Sequence, residues 1–368
     1  MPRVSLLLGA FASLFVAAGV RGQQVPQLPP FTERVEVTSI VIDARVIDDF
    51  GASVLGLTAP DFLVTIGGKR AKVQSSFWTG AIGDPPTIGI AGAPVPAPAP
   101  SPETGQLVVL FFQKSLVRDR ARGFIRLVEQ SRSLVTAMRP ADRMAILMFD
   151  TSLRVYSDFT NDRALLDRIL AHGLLHEPAP KTVPAGSPSF LEALAGGRKI
   201  STMERAFEAI GNALKPMPGS KAIAFIGYGM GELSYGQRVD TPSLMRPAFG
   251  TSPQDMATNA DMNNDYQRAW RRLTDARVSV FSLDISQADT HTLAAGMQMI
   301  AADTGGFYAS SLDFPEKPMR FFAGALNGHY VLFVEAPADA TERTLEVSVT
   351  SSRRAYVFST SSYKSAAK

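Results

Sequence analysis

The chain has 368 residues, 45% of them hydrophobic and 19% charged, with 29 Gly, 25 Pro and no cysteine. That hydrophobic fraction excludes a disordered protein, the length suggests two domains or three small ones, and the lack of cysteine excludes disulfides, thiolate metal sites and a cysteine nucleophile. The formal net charge of +3 leaves a polyanion-binding surface open until the charge is placed by region.

Arg3, the apolar stretch Ser5 to Val20 and the small-residue exit at Val20-Arg21-Gly22 predict an export signal over 1–22. The stretch falls short of the roughly 20 apolar residues that cross a bilayer comfortably, so no stable membrane span is expected after cleavage, with an uncleaved N-terminal anchor as the alternative. Removing 1–22 takes away Arg3 and Arg21 and no acid, so the net charge falls from +3 to +1. That near-neutral balance argues against nucleic acid as a partner. The expected location is secreted or periplasmic.

Residues 31–82 form the next unit, a β module. Val35, Val37, Ile40, Ile42 and Val46 recur at about every second position, and Leu55, Leu57, Phe62, Val64 and Ile66 continue the pattern to the Gly67-Gly68 turn. So little strand makes a marginal core on its own. Alternating Ala and Pro over 84–104 predict a stiff, extended linker.

From Gln106 the texture changes to alternating strands and helices over 105–311. Continuous apolar runs at Leu107 to Phe112, Met144 to Phe149, Lys221 to Ile226 and Val278 to Ile285 predict strands buried on both faces of a parallel sheet, with Leu153 to Phe159 as an alternating strand between them. Helices are predicted over Asp119 to Met138, from Asn161-Asp162 through His172, Thr202 to Leu214, Tyr266 to Ala276 and His291 to Asp303; Phe307 to Ser310 adds a short strand. This alternation implies an α/β, doubly wound, mainly parallel sheet with ligands at the carboxyl ends of its strands. Over 312–368 strand texture returns at Tyr330 to Val334, Thr344 to Val349 and Tyr356 to Ser359. These strands are expected to pair with the N-terminal module in one β-sandwich.

The strand 107–112 with Gln113-Lys-Ser115 at its end, Pro140-Ala-Asp-Arg-Met-Ala-Ile, Phe159-Thr-Asn-Asp162 and Lys221 to Gly229 resemble, in this order, the successive elements of a von Willebrand factor type A domain. The segment Val46 to Phe62 resembles the N-terminal β-segment of the bacterial VWFA-related family of secreted proteins, and the likeness runs over about 30–365. It implies a Rossmann-like fold with a divalent-ion adhesion site, built from Asp-x-Ser-x-Ser after the first strand, a Thr from a neighbouring loop and a later Asp. Here the first Asp is Gln113, the first Ser is Ser115, the second Ser is Val117, the later Asp is Tyr228, and Thr202 stands as the candidate Thr. With both carboxylates gone, neutral oxygens compete poorly with water for Mg²⁺. Asp150, at the end of the second strand, and Glu232 could supply substitute charge. The resemblance therefore implies a degenerate ion site with no resident metal and no cofactor.

Other patterns have ordinary readings. His172 and His176 are spaced four apart, but Glu177 is not in the His-Glu-x-x-His position and no third zinc ligand is evident. Gly227-Tyr-Gly-Met-Gly231 matches neither phosphate-binding fingerprint and fits a strand-to-loop turn. The runs Arg118-Arg120-Arg122-Arg126 and Arg268-Arg271-Arg272-Arg277 are interleaved with acids and read as solvated, ion-paired faces. Met297, Met299 and Ile300 read as core. No Gly-x-Ser-x-Gly elbow or triad pattern occurs. Two readings follow: an exported, non-enzymatic adhesion or scaffold module that binds a protein partner at the carboxyl edge of its sheet, or an extracytoplasmic hydrolase using Asp150 and Glu232 at that edge.

Overall fold

The computed structural model describes residues 39–80, 105–115, 117–194, 200–230, 253–286, 293–311, 314–335, 344–350 and 354–361. The predicted signal segment, the Pro-rich linker and Glu232 lie outside them. In chain order the strands are β1 (Ser39–Asp48), β2 (Phe62–Ile66), β3 (Lys69–Gly80), β4 (Leu107–Gln113), β5 (Arg143–Phe149), β6 (Leu153–Thr160), β7 (Lys221–Gly227), β8 (Val278–Asp284), β9 (Tyr308–Ser310), β10 (Gly328–Glu335), β11 (Leu345–Val349) and β12 (Ala355–Ser359). Eight helices are described: α1 (Arg118–Ala137), α2 (Arg163–Arg168), which runs through a π turn at Ile169–Gly173 into α3 (Leu174–His176), α4 (Phe190–Leu194), α5 (Met203–Leu214), α6 (Pro253–Asp275), α7 (Ala294–Thr304) and α8 (Glu316–Leu326).

Strands β4 to β9 make a six-stranded sheet in the order β6-β5-β4-β7-β8-β9. Every neighbouring pair is parallel except β5 with β6. All seven residues of β4, of β7 and of β8 are buried, as strands covered on both faces must be, and this is why they appear in sequence as unbroken apolar runs. One face carries Phe124, Leu127, Val128 and Leu134 of α1 together with Leu166 and Leu170. The other carries Phe207 and Ile210 of α5, Tyr266 and Leu273 of α6, and Met297 and Ile300 of α7. This is the mixed α/β arrangement, with a mostly parallel sheet, that the alternation of strands and helices implies.

The remaining strands form an antiparallel sheet, in the order β11-β2-β3-β10-β1-β12. A sandwich would require a second facing sheet; the described strands supply one sheet only. It curls toward a barrel, with the Leu345 amide donating to the Ser361 carbonyl at 2.8 Å across the gap between its two edges. Ile40, Ile42, Val46, Phe62, Val64, Tyr330, Leu332 and Val334 fill its concave side. Curling lets one sheet enclose this core without a second layer. Leu55 and Leu57, expected in a strand, lie in a loop instead, where Gly56 takes a φ of +79° that no extended strand accommodates.

The two sheets share one body. Arg45, on the convex side of β1, is buried and donates to Ser279 Oγ of β8 at 2.7 Å and to the Ala325 carbonyl of α8 at 3.2 Å. Burial lowers its pKa to about 10, against the raising effect of nearby Asp43, so the guanidinium stays charged at neutral pH. Asp43 in turn pairs with Arg277 at 2.5 Å. Helix α8, unassigned by the sequence pattern, packs Met319, Phe322 and Ala325 into the core beside Ile47 and Phe281.

Candidate functional site

The carboxyl ends of β4, β5 and β7 bring three of the predicted site residues to one rim of the parallel sheet: Gln113 is the last residue of β4, Asp150 follows β5, and Tyr228 follows β7. Gln113 is buried, with a relative exposure of 5%. Its Oε1 accepts hydrogen bonds from the amides of Tyr228 at 2.9 Å and Gly229 at 3.2 Å. The side chain thus bridges the ends of two adjacent strands. Both glycines flanking Tyr228 lack room for a side chain, Gly227 because of the bridge itself and Gly229 because of Leu293. A Cβ at Gly227 would stand 2.6 Å from Gln113 Oε1, and Gly229, at φ +148°, would drive a Cβ to 2.2 Å from Leu293. The same geometry accounts for Gly227-Tyr-Gly229 without a phosphate, because the two amides that would face an anion already have an acceptor.

Tyr228 is half-buried, and the Arg120 guanidinium from the first turn of α1 lies over its ring, 4.3 Å from the centroid. A cation stacked on a tyrosine face is stabilised by the ring quadrupole, by about 0.5–1 kcal/mol where solvent reaches it. Ser115 does not turn toward these groups: its Oγ accepts from the Val117 amide at 3.2 Å. Thr202 caps α5, its Oγ1 accepting from the Arg205 amide at 3.3 Å. Asp150 accepts from the Thr151 amide, from the Ser152 amide at 3.2 Å and from Arg154 Nε at 3.2 Å. Burial alone would raise its pKa, but the two amide bonds and the Arg154 charge together hold it below the ordinary carboxylate value. Glu232 lies outside the described residues.

The described residues of this set do not fit Mg²⁺. An octahedral site needs several converging oxygens, at least some of them charged. Here the one buried carbonyl oxygen is committed to two amides, the hydroxyls of Ser115 and Thr202 accept from their own backbone, and Asp150 is balanced by Arg154. Among the described residues no group of three or more His, Asp or Glu is arranged to hold a metal. His172 and His176 stack with ring centroids 4.9 Å apart, beside Glu177 at 3.5 Å from His172, on exposed surface.

Pattern reading missed two features. The basic run assigns Arg120 to a solvated face with its neighbours, yet it stacks on Tyr228; its position in the first turn after the strand is the available signal. Asp284 at the end of β8 is buried and accepts from the Ser286 amide at 2.8 Å and from the Tyr308 hydroxyl at 2.7 Å. Burial, reinforced by this contact, raises the Tyr308 pKa, so the phenol stays a donor and braces the rim at β8 and β9. By contrast two members of the second basic run are ion-paired: Arg268 contacts Asp265 and lies 3.5 Å from Glu208, and Arg277 pairs with Asp43.

No family model matches the chain, and the comparison with curated proteins gives no match. Solved structures give similar folds at low scores. A von Willebrand factor type A protein from Catenulispora acidiphila is similar at 9% identity and a TM-score of 0.41, over 88% of this chain and 73% of that one. An aerotolerance-related membrane protein from Bacteroides fragilis is similar at 14% identity and a TM-score of 0.37, over 61% of this chain and 99% of that one. The PilB minor pilin from Streptococcus sanguinis is similar at 13% identity and a TM-score of 0.37, over 63% of this chain, and the match spans 62% of the pilin's own length. No helix among the described residues is long and apolar enough to cross a membrane.

Proposed function

We propose that the chain is an exported, non-enzymatic protein-binding or scaffold module whose ligand rim works without a metal ion. The observation that supports this reading is the Gln113 bridge: a neutral side chain bonded to the Tyr228 and Gly229 amides stands where the resembled family places its first metal carboxylate. With no ion to recruit an acidic partner residue, recognition rests on the Arg120–Tyr228 pair, a cation and an aromatic ring of the kind that anchors protein interfaces. The hydrolase alternative needs a carboxyl group that takes up and releases a proton near neutral pH. Asp150, held ionised by Arg154 and two amides, is a poor proton donor.

The test is site-directed photo-crosslinking in the envelope fraction of the producing cell. A photoreactive residue placed at Tyr228 is expected to give a discrete protein adduct that survives chelator, while one placed at exposed Glu316 gives none. Adducts lost on chelation, or equal adducts from both positions, would overturn the proposal.

A further inference from the structure

A second concavity lies away from this rim, along the edge strand β6 and toward the amino ends of the parallel strands. It is an open-mouthed cavity of about 620 Å³ bordered by β6, the helical segment running from α2 through the π turn, and the Pro-rich chain over 178–187. This volume falls within the range typical of small-molecule sites. Its walls are held in place. Asp158 of β6 is buried, and its carboxylate accepts from the amides of Phe159 at 2.8 Å, Phe190 at 2.7 Å, Gly186 at 2.9 Å and Leu191 at 3.3 Å, and from Ser189 Oγ at 2.8 Å. The Tyr156 hydroxyl donates to the Glu177 carbonyl at 3.3 Å at the other end of the loop. Pro178, Pro180 and Pro184 stiffen the chain between these anchors.

Chemically the lining has two parts. Tyr156, Phe159, Ile169 and Val183 offer apolar surface, and Arg143 and Arg168 line the same space. Among the described residues neither guanidinium has a hydrogen-bond or ion-pair partner, whereas the acids beside them are engaged: Asp158 by five donors, and Glu177 by His172 at 3.5 Å. Unpaired guanidiniums in a partly apolar cavity favour an anion with an apolar body, since Arg binds carboxylates through two parallel donors. The formal charge of Glu177 at the wall disfavours a dianion.

We propose that this cavity binds a small monoanionic carboxylate with an aliphatic or aromatic body, independently of partner binding at the Gln113–Tyr228 rim. Calorimetric titration of the mature chain with octanoate, 4-phenylbutyrate, octanol and inorganic phosphate tests it. At least one carboxylate is expected to bind saturably, one per chain, with octanol at least about tenfold weaker. Arg168→Gln should weaken carboxylate binding by about tenfold or more, and Val183→Trp, which fills the cavity, should abolish it. Arg168 is exposed at a helix end, so its variant is informative even where Arg143→Gln does not fold. Failure of both carboxylates to bind below about 1 mM, equal binding of octanol, indifference to Arg168→Gln, or tighter binding of phosphate at the same site would each overturn the proposal.

Discussion

The Gln113 side-chain oxygen lies 2.9 Å from the Tyr228 amide, joining the end of β4 to the loop after β7. The bond is partly buried, and the one that the Gly229 amide makes to the same acceptor is fully buried. Removing the acceptor leaves two donors without a partner, which costs far more than one exchanged hydrogen bond. Gln113→Met keeps most of the volume and loses the oxygen. It is expected to lower stability by about 2–4 kcal/mol, nearly as much as Gln113→Ala, in urea denaturation. A methionine variant as stable as wild type would show that packing, not the bridge, holds this rim.

Metal dependence is the next expectation. A ligand that does not bind the folded state cannot shift its unfolding equilibrium. The wild-type thermal midpoint is therefore expected to stay within about 1 °C on adding roughly 5 mM Mg²⁺ or chelator. Titration calorimetry provides the stricter check. A stoichiometric site for Mg²⁺ or Mn²⁺, abolished by Asp150→Asn, would mean that a substitute carboxylate had rebuilt it.

His329 is expected to make the fold acid-sensitive. The ring is buried at the start of β10, and its pKa is lowered to about 4 by burial first, then by the Arg45 and Arg277 charges, with Asp43 acting in the opposite direction. Because the folded-state value lies below the unfolded one, this contribution is fully present above about pH 6.5 and is lost as pH falls toward 4. The loss amounts to roughly 3 kcal/mol. Comparing wild type with His329→Gln across this interval isolates it from other titrating groups. Parallel curves for the two proteins would refute the assignment.

Asp158 is expected to be the most damaging single loss on the β6 edge. Asp158→Ala strips the acceptor from four amides and one hydroxyl, lowering stability by about 3 kcal/mol or more. The segment 178–187 should then be cut by protease well before the rest of the chain, whereas Asp158→Asn should show a smaller effect. Unchanged cleavage kinetics in the alanine variant would show that the loop is held by other contacts.

The parallel sheet was legible because strands buried on both faces leave no polar alternation to confuse them, as in Leu107 to Phe112. The placement of Gln113 and Tyr228 at strand ends was legible too, since each closes a continuous apolar run. Their contacts were not. The Gln113 bridge and the Arg120 stack join residues more than 100 positions apart, and no local pattern encodes such a contact. Helix α8 escaped because its buried Met319, Phe322 and Ala325 follow a Pro-containing start, Glu316-Lys317-Pro318, that reads as a breaker. Leu55 and Leu57 misled in the opposite sense, as alternating apolar residues in a loop.

Strand β1 has β10 on one side and β12 on the other. Both neighbours lie beyond the intervening α/β region, so β1 finds its partners only after that region has been made. Contacts this distant in sequence form slowly, and until they form the apolar residues of β1, β2 and β3 stay uncovered. The intervening α/β region holds its own sheet and helices and can close first. A truncation before β10 would then leave a folded central region flanked by a sticky, half-built sheet, making β10 to β12 a condition of solubility for what precedes them.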